Sequence, residues 1–317
     1  MFLPFLLFAI WSSCFSIGKL AVGFSTPLFF TASRMLFAAL IILAYLFFRK
    51  KQSLKINKRQ IVPIALLAIL SMYLTNTLEF YGLQHLSAAK TCFIYSLTPF
   101  FAAFFSYIHF KEKLNFKKWI GMIIGFVGIM PVFFIHTGSE SLTKSFFIIS
   151  WPELAVIGAT LFSVYGWVLL RLLVKDNNIS PLTANGWSML LGGLLSIGHS
   201  YLIDTWAPIP VAPGGILGFS QGVFLITFIS NVLCYNLYGF LLKKYTATFM
   251  SFVGLLSPVF ASLSEWILLK TAPNPVILLS TGVVLFGLWI IYREELKQGY
   301  IVKSKLLSQN NADKQAS

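Results

Sequence analysis

Thr98-Pro99-Phe100-Phe101-Ala102 is answered in the second half of the chain by Ser257-Pro258-Val259-Phe260-Ala261. At the same spacing Ala88 is matched by Ala247 and Gly128 by Gly287. Weaker echoes precede them in the same order. Phe15-Ser16-Ile17 recurs as Phe162-Ser163-Val164, Ser25-Thr26-Pro27-Leu28 resembles Ile179-Ser180-Pro181-Leu182, and Tyr81-Gly82 corresponds, two residues out of step, to Tyr238-Gly239. Echoes that keep one order along a chain mark a duplicated unit.

The duplicated unit is apolar. Of 317 residues, 57% are hydrophobic and 11% are charged, and the mean hydropathy is +0.80. Soluble domains carry about 25% charged residues, because they must cover themselves with polar groups. Lipid is therefore the solvent for most of this chain, which excludes a disordered protein, a secreted disulfide scaffold and a cytosolic enzyme. A hydrocarbon layer about 30 Å thick takes roughly 20 helical residues. Ten stretches qualify: 3–24, 27–48, 60–81, 86–108, 118–136, 152–172, 184–203, 220–242, 247–269 and 276–292. Their continuous apolarity differs from the alternation of barrel strands. The first stretch has nothing basic ahead of it beyond the amino terminus and stays apolar as far as Lys19, so it is expected to be a retained span rather than a signal peptide. The expected fold class is an all-α polytopic membrane protein of ten transmembrane helices, arranged as two five-helix repeats over 3–136 and 152–292 with a tail at 293–317.

The net charge of +14 would suggest nucleic acid in a soluble protein, but its distribution is topological. Nineteen of the 24 Lys and Arg follow even-numbered spans or lie in the tail, only Lys144 and Lys270 lie on the other side, and Lys19, Arg34 and Lys90 fall within spans. Cytoplasmic loops retain positive residues. Both termini are thus expected in the cytoplasm, in a bacterial inner membrane, and no nucleic acid is expected as a partner. Cys14, Cys92 and Cys234 lie in apolar runs without metal-ligand spacing and read as small hydrophobes.

Five spans per repeat is an odd number, so the second repeat enters the bilayer inverted. Inverted repeats are a recurring plan of secondary transporters, because two packings related by a pseudo-two-fold axis can open one site to either side. The competing readings are a stable bundle with no transport role, and a membrane-embedded lipid-modifying enzyme. Neither His-Glu-x-x-His nor Gly-x-x-x-x-Gly-Lys occurs, so ATP drive is not encoded, and neither a cofactor nor a metal is expected. The expected partners are a small-molecule substrate and the bilayer, with a homodimer left open.

A charge in a span costs roughly 2.5–3.5 kcal/mol at the helix centre and needs a partner, a cavity or a nearby interface. Lys19, Glu153 and Glu265 are near enough to span ends to snorkel. Arg34, Glu79 and Lys90 read as a cluster facing a vestibule, where surplus positive charge would attract a carboxylate or phosphate. Trp11, Phe15, Tyr95 and Tyr165 lie well inside spans beside small or polar neighbours, where a planar or cationic solute can stack. For any one of them ordinary packing is the commoner role. Pro99 and Pro258 each remove one helical hydrogen bond, freeing the carbonyls of Tyr95 and Gly254, and are the candidate conformational hinges. Gly121 and Gly125 form a Gly-x-x-x-Gly suited to close helix contact.

Leu86-Ser87-Ala88-Ala89 followed by Leu97 to Ala102, then Lys111-Glu112-Lys113-Leu114 and Trp119-Ile120-Gly121 before a Gly-rich span, resembles the end of an EamA domain of the drug/metabolite transporter superfamily. Arg34 early in the second span fits as well. The resemblance covers nearly the whole chain as two such domains, and implies a ten-helix carrier of small metabolites working by facilitated diffusion, exchange or ion coupling. The second copy departs from it: Thr271 stands where Glu112 does in the first, and Glu265 where Ser106 does. Glu112, among lysines, is expected to make a helix-end salt bridge of small value. The compact Phe-rich sequence is further similar to the S-adenosylmethionine transporters of obligate intracellular bacteria, which implies exchange of that methyl donor for S-adenosylhomocysteine. An amino-acid or drug exporter of the same family is the alternative.

Overall fold

Pro27 and Pro181 each open a 23-residue helix. A proline there forfeits an N–H that the first turn leaves unpaired anyway, and the echo around them in the sequence is a shared helix start. The computed structural model describes residues 2–49, 54–86, 91, 94–112, 115–136, 150–257, 259–260 and 275–299. Among them lie ten helices: α1 (Phe2–Val22), α2 (Pro27–Arg49), α3 (Lys58–His85), α4 (Thr98–Phe110), α5 (Phe116–His136), α6 (Trp151–Asp176), α7 (Pro181–Ile203), α8 (Ile216–Leu241), α9 (Ala247–Val253) and α10 (Pro275–Lys297). Of these, α1, α2, α3, α6 and α8 are long and apolar enough to cross a membrane. Lys90, Pro258, Glu265 and Thr271 lie outside the described residues.

The packing obeys the duplication. Helix α2 runs along α7, α5 along α10 and α4 against α9, while α3 packs on α6 as α1 packs on α8. Exchanging the halves maps this set of contacts onto itself, as a pseudo-two-fold axis requires. The equivalent helices run antiparallel. Gly186 faces Ile42 and Leu43, Gly193 faces Leu36, and the Ser196 hydroxyl donates to the Leu28 carbonyl at 2.8 Å, so α7 ascends as α2 descends. In the other pair Gly121 meets Ile291 while Gly128 meets Val283. A Cβ on Gly287 would stand 2.6 Å from the Gly121 carbonyl oxygen, so Gly121-x-x-x-Gly125 and Gly287 bring the two backbones together. Lipid tails are as apolar as the side chains, so close packing of small residues drives such pairing.

Both third helices contain a π-helical stretch, Ala68–Leu74 in α3 and Thr227–Cys234 in α8. Widening the ladder frees carbonyls, and at membrane depth these must be satisfied from within the protein. Asn76 Nδ2 donates to the carbonyls of Ser71 (2.7 Å) and Met72 (3.0 Å). Asn236 Nδ2 does the same to Asn231 (3.3 Å) and Val232 (2.8 Å), the same four and five residues back.

Pro99 corrects one expectation. It is not a kink inside a continuous helix, because Leu86 is extended, Ser96 and Leu97 form a turn, and Pro99 stands in the first turn of α4. The Tyr95 carbonyl, freed as expected, accepts the Thr98 hydroxyl. In the second half the corresponding place is the 3₁₀ turn Gly254–Leu256 after α9. Of the charges near span ends, Lys19 and Glu153 cap helices. Lys19 Nζ donates to the carbonyls of Leu83 (3.1 Å) and Leu86 (2.6 Å) at the end of α3, and Glu153 closes a capping box with Ser150 at the start of α6.

Glu112 also departs from expectation, since it is buried rather than a surface helix-end carboxylate. Its Oε1 lies 2.5 Å from Arg171 Nη1, and both side chains are nearly inaccessible. Beside them Lys118 Nζ stands 3.5 Å from Glu295 Oε1, with 1% and 0% of the side chains exposed, and the Thr246 hydroxyl donates to Glu295 Oε2 at 2.6 Å. Residues from the ends of α4 and α6 and from α5, α9 and α10 thus join one buried charge cluster on the face bearing most of the lysines.

Glu295 lies beyond the apolar run of α10. Burial pushes its carboxyl up to about 7, against the opposing pull of the Lys118 ammonium and the Thr246 hydroxyl, with Glu112 raising it and Arg171 lowering it further. An unfolded chain releases this proton near 4.5. The stability Glu295 contributes is therefore full below that value and is lost as pH rises through about 7. The thermal midpoint of the detergent-solubilised protein is expected to fall between about pH 5 and pH 8, and Glu295→Gln to flatten that slope. A slope unchanged by Glu295→Gln would assign the effect to other groups.

Candidate substrate cavity

Both repeats contribute to one cavity. One wall is polar and comes from the first repeat: Arg34 of α2, Thr75, Asn76 and Glu79 of α3, and Tyr95 ahead of α4. The other wall is aromatic and hydroxyl-bearing: Phe8 and Trp11 of α1, Trp167 of α6, Tyr235 and Tyr238 of α8, and Ser251 of α9. Largely apolar clefts with a few convergent polar groups are the usual form of small-molecule sites.

Arg34 is 2% exposed. Its Nη2 donates to Asn76 Oδ1 and its Nη1 to Asn231 Oδ1 at 3.2 Å, while the guanidinium lies over the Phe80 ring, 4.7 Å from the centroid. Among the described residues its Nε has no hydrogen-bond partner. Glu79 accepts the Tyr95 hydroxyl at 2.6 Å. Arg34 and Glu79 line the same cavity without an ion pair between them, and Lys90, the third member of the expected cluster, lies outside the described residues. Among the described residues the guanidinium is held by two amides and the Glu79 carboxyl by a phenol.

The aromatic wall is continuous. Trp167 lies 4.2 Å from Tyr238 and 5.1 Å from Tyr235 between centroids, and Trp11 lies 5.6 Å from Trp167 and 5.4 Å from Tyr235. Trp11 Nε1 donates to Ser230 Oγ at 3.0 Å, joining α1 to the π-helical stretch of α8. Phe15 meets Tyr95 edge-on at 5.8 Å. Cys14, read as a small hydrophobe, also lines the space, and Cys234 is buried.

The structure therefore brings together Trp11, Phe15, Arg34, Glu79 and Tyr95 of the sequence candidates. Tyr165 is not among them. It packs against Phe105 at 5.0 Å and His109 at 5.4 Å, away from this cavity. Helical periodicity explains the difference, because Trp167, two residues on, points to another face of α6. Lys90 and Pro258 lie outside the described residues. Sequence reasoning passed over Asn76, Asn231, Trp167, Tyr235 and Tyr238. The asparagines carried a usable signal, since an amide in an apolar span needs partners much as a charge does.

The fold is shared with a known crystal structure at a TM-score of 0.70 and 15% identity, covering 91% of this chain and 93% of that one. The chain is 40% identical over 306 residues to the S-adenosylmethionine/S-adenosylhomocysteine transporter of Chlamydia muridarum (strain MoPn / Nigg), spanning 96% of this chain and 95% of that protein. It is equally similar to the protein so named in Chlamydia trachomatis serovar L2, with 96% and 92% covered. The sequence profile of the EamA-like transporter family matches residues 1–134 and again 150–293. With nearly the whole chain matched in two copies that both line the cavity, this multi-pass membrane protein belongs to the EamA-like transporter family.

Proposed function

We propose that this carrier takes up S-adenosylmethionine in exchange for S-adenosylhomocysteine by alternating access, in a bacterial inner membrane with both termini in the cytoplasm. The observation that carries the reading is the division of the cavity into a wall bearing Arg34 and Glu79 and a wall of Trp and Tyr rings. An amino acid has a carboxylate for Arg34 and an ammonium for Glu79. Adenine stacks on rings, and a sulfonium is attracted to their faces. The printed names of the Chlamydia relatives point to the same solutes. The excess of lysine and arginine on one face supports the orientation. The helix breaks at Ser96–Leu97 and Gly254–Leu256 are the flexing points, beside Pro99 and Pro258, at which one half rocks against the other.

The test is uptake of labelled S-adenosylmethionine by cells expressing the chain. Saturable uptake, inhibited by S-adenosylhomocysteine and faster from cells or vesicles preloaded with it, is expected. Uptake inhibited instead by free amino acids alone would move the assignment to an amino-acid carrier of the same family.

A further inference from the structure

A buried cation in a membrane span is ordinarily held by a carboxylate, which neutralises it. Arg34 is held differently: its two terminal nitrogens donate to the amide oxygens of Asn76 and Asn231. An amide oxygen orients a guanidinium and replaces its water without cancelling its charge. Neither amide is free to turn. Asn76 spends its N–H groups on the Ser71 and Met72 carbonyls left by the π-helical stretch of α3, which forces Oδ1 toward Arg34. Asn231 Nδ2 donates to Met35 Sδ at 3.0 Å.

The second repeat contains the same device with another client. Asn236, anchored to its own π-helical stretch, turns Oδ1 to Asn185 Nδ2 at 3.0 Å, where there is no charge to hold. The amide stapled to a π-helical stretch is therefore built into the repeat, and of its two copies Asn76 aims its oxygen at a cation that lines the cavity while Asn236 aims its oxygen at an amide.

We propose that Asn76 and Asn231 are positioning residues that set cargo preference: by holding Arg34 through uncharged acceptors they leave its full charge to a carboxylate of the solute. This rests on the reading that Arg34 receives that carboxylate.

The experiment uses the full chain in proteoliposomes, with uptake of labelled S-adenosylmethionine inhibited by S-adenosylhomocysteine or by its analogue lacking only the carboxylate. A charge-assisted hydrogen bond corresponds to about a 10-fold or greater preference for the carboxylate-bearing inhibitor in the wild type. Asn231→Asp, nearly isosteric, places a negative charge on Arg34 and is expected to bring that preference down to about 1, with the loss in KM for cargo rather than in maximal rate. Asn231→Leu, which removes one acceptor without adding charge, is expected to lower it about threefold and reads the same ratio should the Asp variant fail to reach the membrane. An unchanged ratio in the Asn231 variants overturns the proposal. A wild type that transports S-adenosylmethionine yet ranks the two inhibitors equally overturns it while leaving the exchange reading intact. Absence of any uptake overturns both.

Discussion

Arg34→Ala lowers S-adenosylmethionine uptake by about 100-fold or more, while the protein remains in the membrane. The expectation follows from what the alanine removes. Truncating one partner of a buried, hydrogen-bonded charge contact costs roughly 2–5 kcal/mol at an interface, which is about 30-fold to several thousand-fold in binding. The protein itself loses less, because Asn76 and Asn231 are neutral. The vacated volume opens onto an existing cavity that cargo or water can fill. Arg34→Lys should recover only a small part, since an ammonium lacks the fork that meets two amide oxygens at once. The measurement is initial uptake rate normalised to membrane abundance. Wild-type rates from Arg34→Ala would remove this wall from the mechanism and leave the aromatic wall as the site.

The second large effect is on stability and lies far from the cavity chemistry. Glu112→Gln or Arg171→Ala should each destabilise the protein by about 3–5 kcal/mol, because removing one member of a buried ion pair leaves the other charge uncompensated. The two side chains are 3–4% exposed and 2.5 Å apart, and the Arg171 guanidinium also lies over the Phe110 ring at 4.2 Å, so Arg171→Ala loses packing as well. The double change Glu112→Gln with Arg171→Met should restore most of the loss, since it leaves no buried charge without a partner. Thermal midpoints in detergent, with abundance in the membrane, report this directly. Single variants as stable as the wild type would mean that water reaches the pair. The lysines around Glu112 in the sequence suggested a surface contact worth little. The partner lies 59 residues away on α6, and no local pattern identifies a contact at that separation.

The same distinction between local and distant information runs through the cavity. Arg34 and Glu79 were legible because a charge in an apolar run is costly wherever it falls and therefore calls for an explanation. Trp11, Phe15 and Tyr95 were legible from their depth and small neighbours. Tyr165 met the same criteria and faces elsewhere, because depth along a helix is readable from spacing while the direction a side chain faces depends on which neighbour the helix meets. Trp167, Tyr235 and Tyr238 carry no local signal that sets them apart, and form a wall only where α6 and α8 lie beside α1.

Ten apolar stretches, the lysine asymmetry and the ordered echoes between the halves were enough to specify membrane-spanning helices in two repeats. Each rests on a term that acts residue by residue or over one helix length: transfer from water to lipid, charge retention at one surface, and the geometry of 1.5 Å per residue. Antiparallel pairing of α2 with α7 and α5 with α10, the π-helical stretches stapled by Asn76 and Asn236, the break before α4, the amide cradle of Arg34 and the buried Glu112–Arg171 pair were decided only by the tertiary structure. In lipid, helices associate through close packing and a few hydrogen bonds rather than by hiding apolar faces. Which faces meet is then a property of the assembled bundle, and the polar atoms that meet there determine what the cavity can hold.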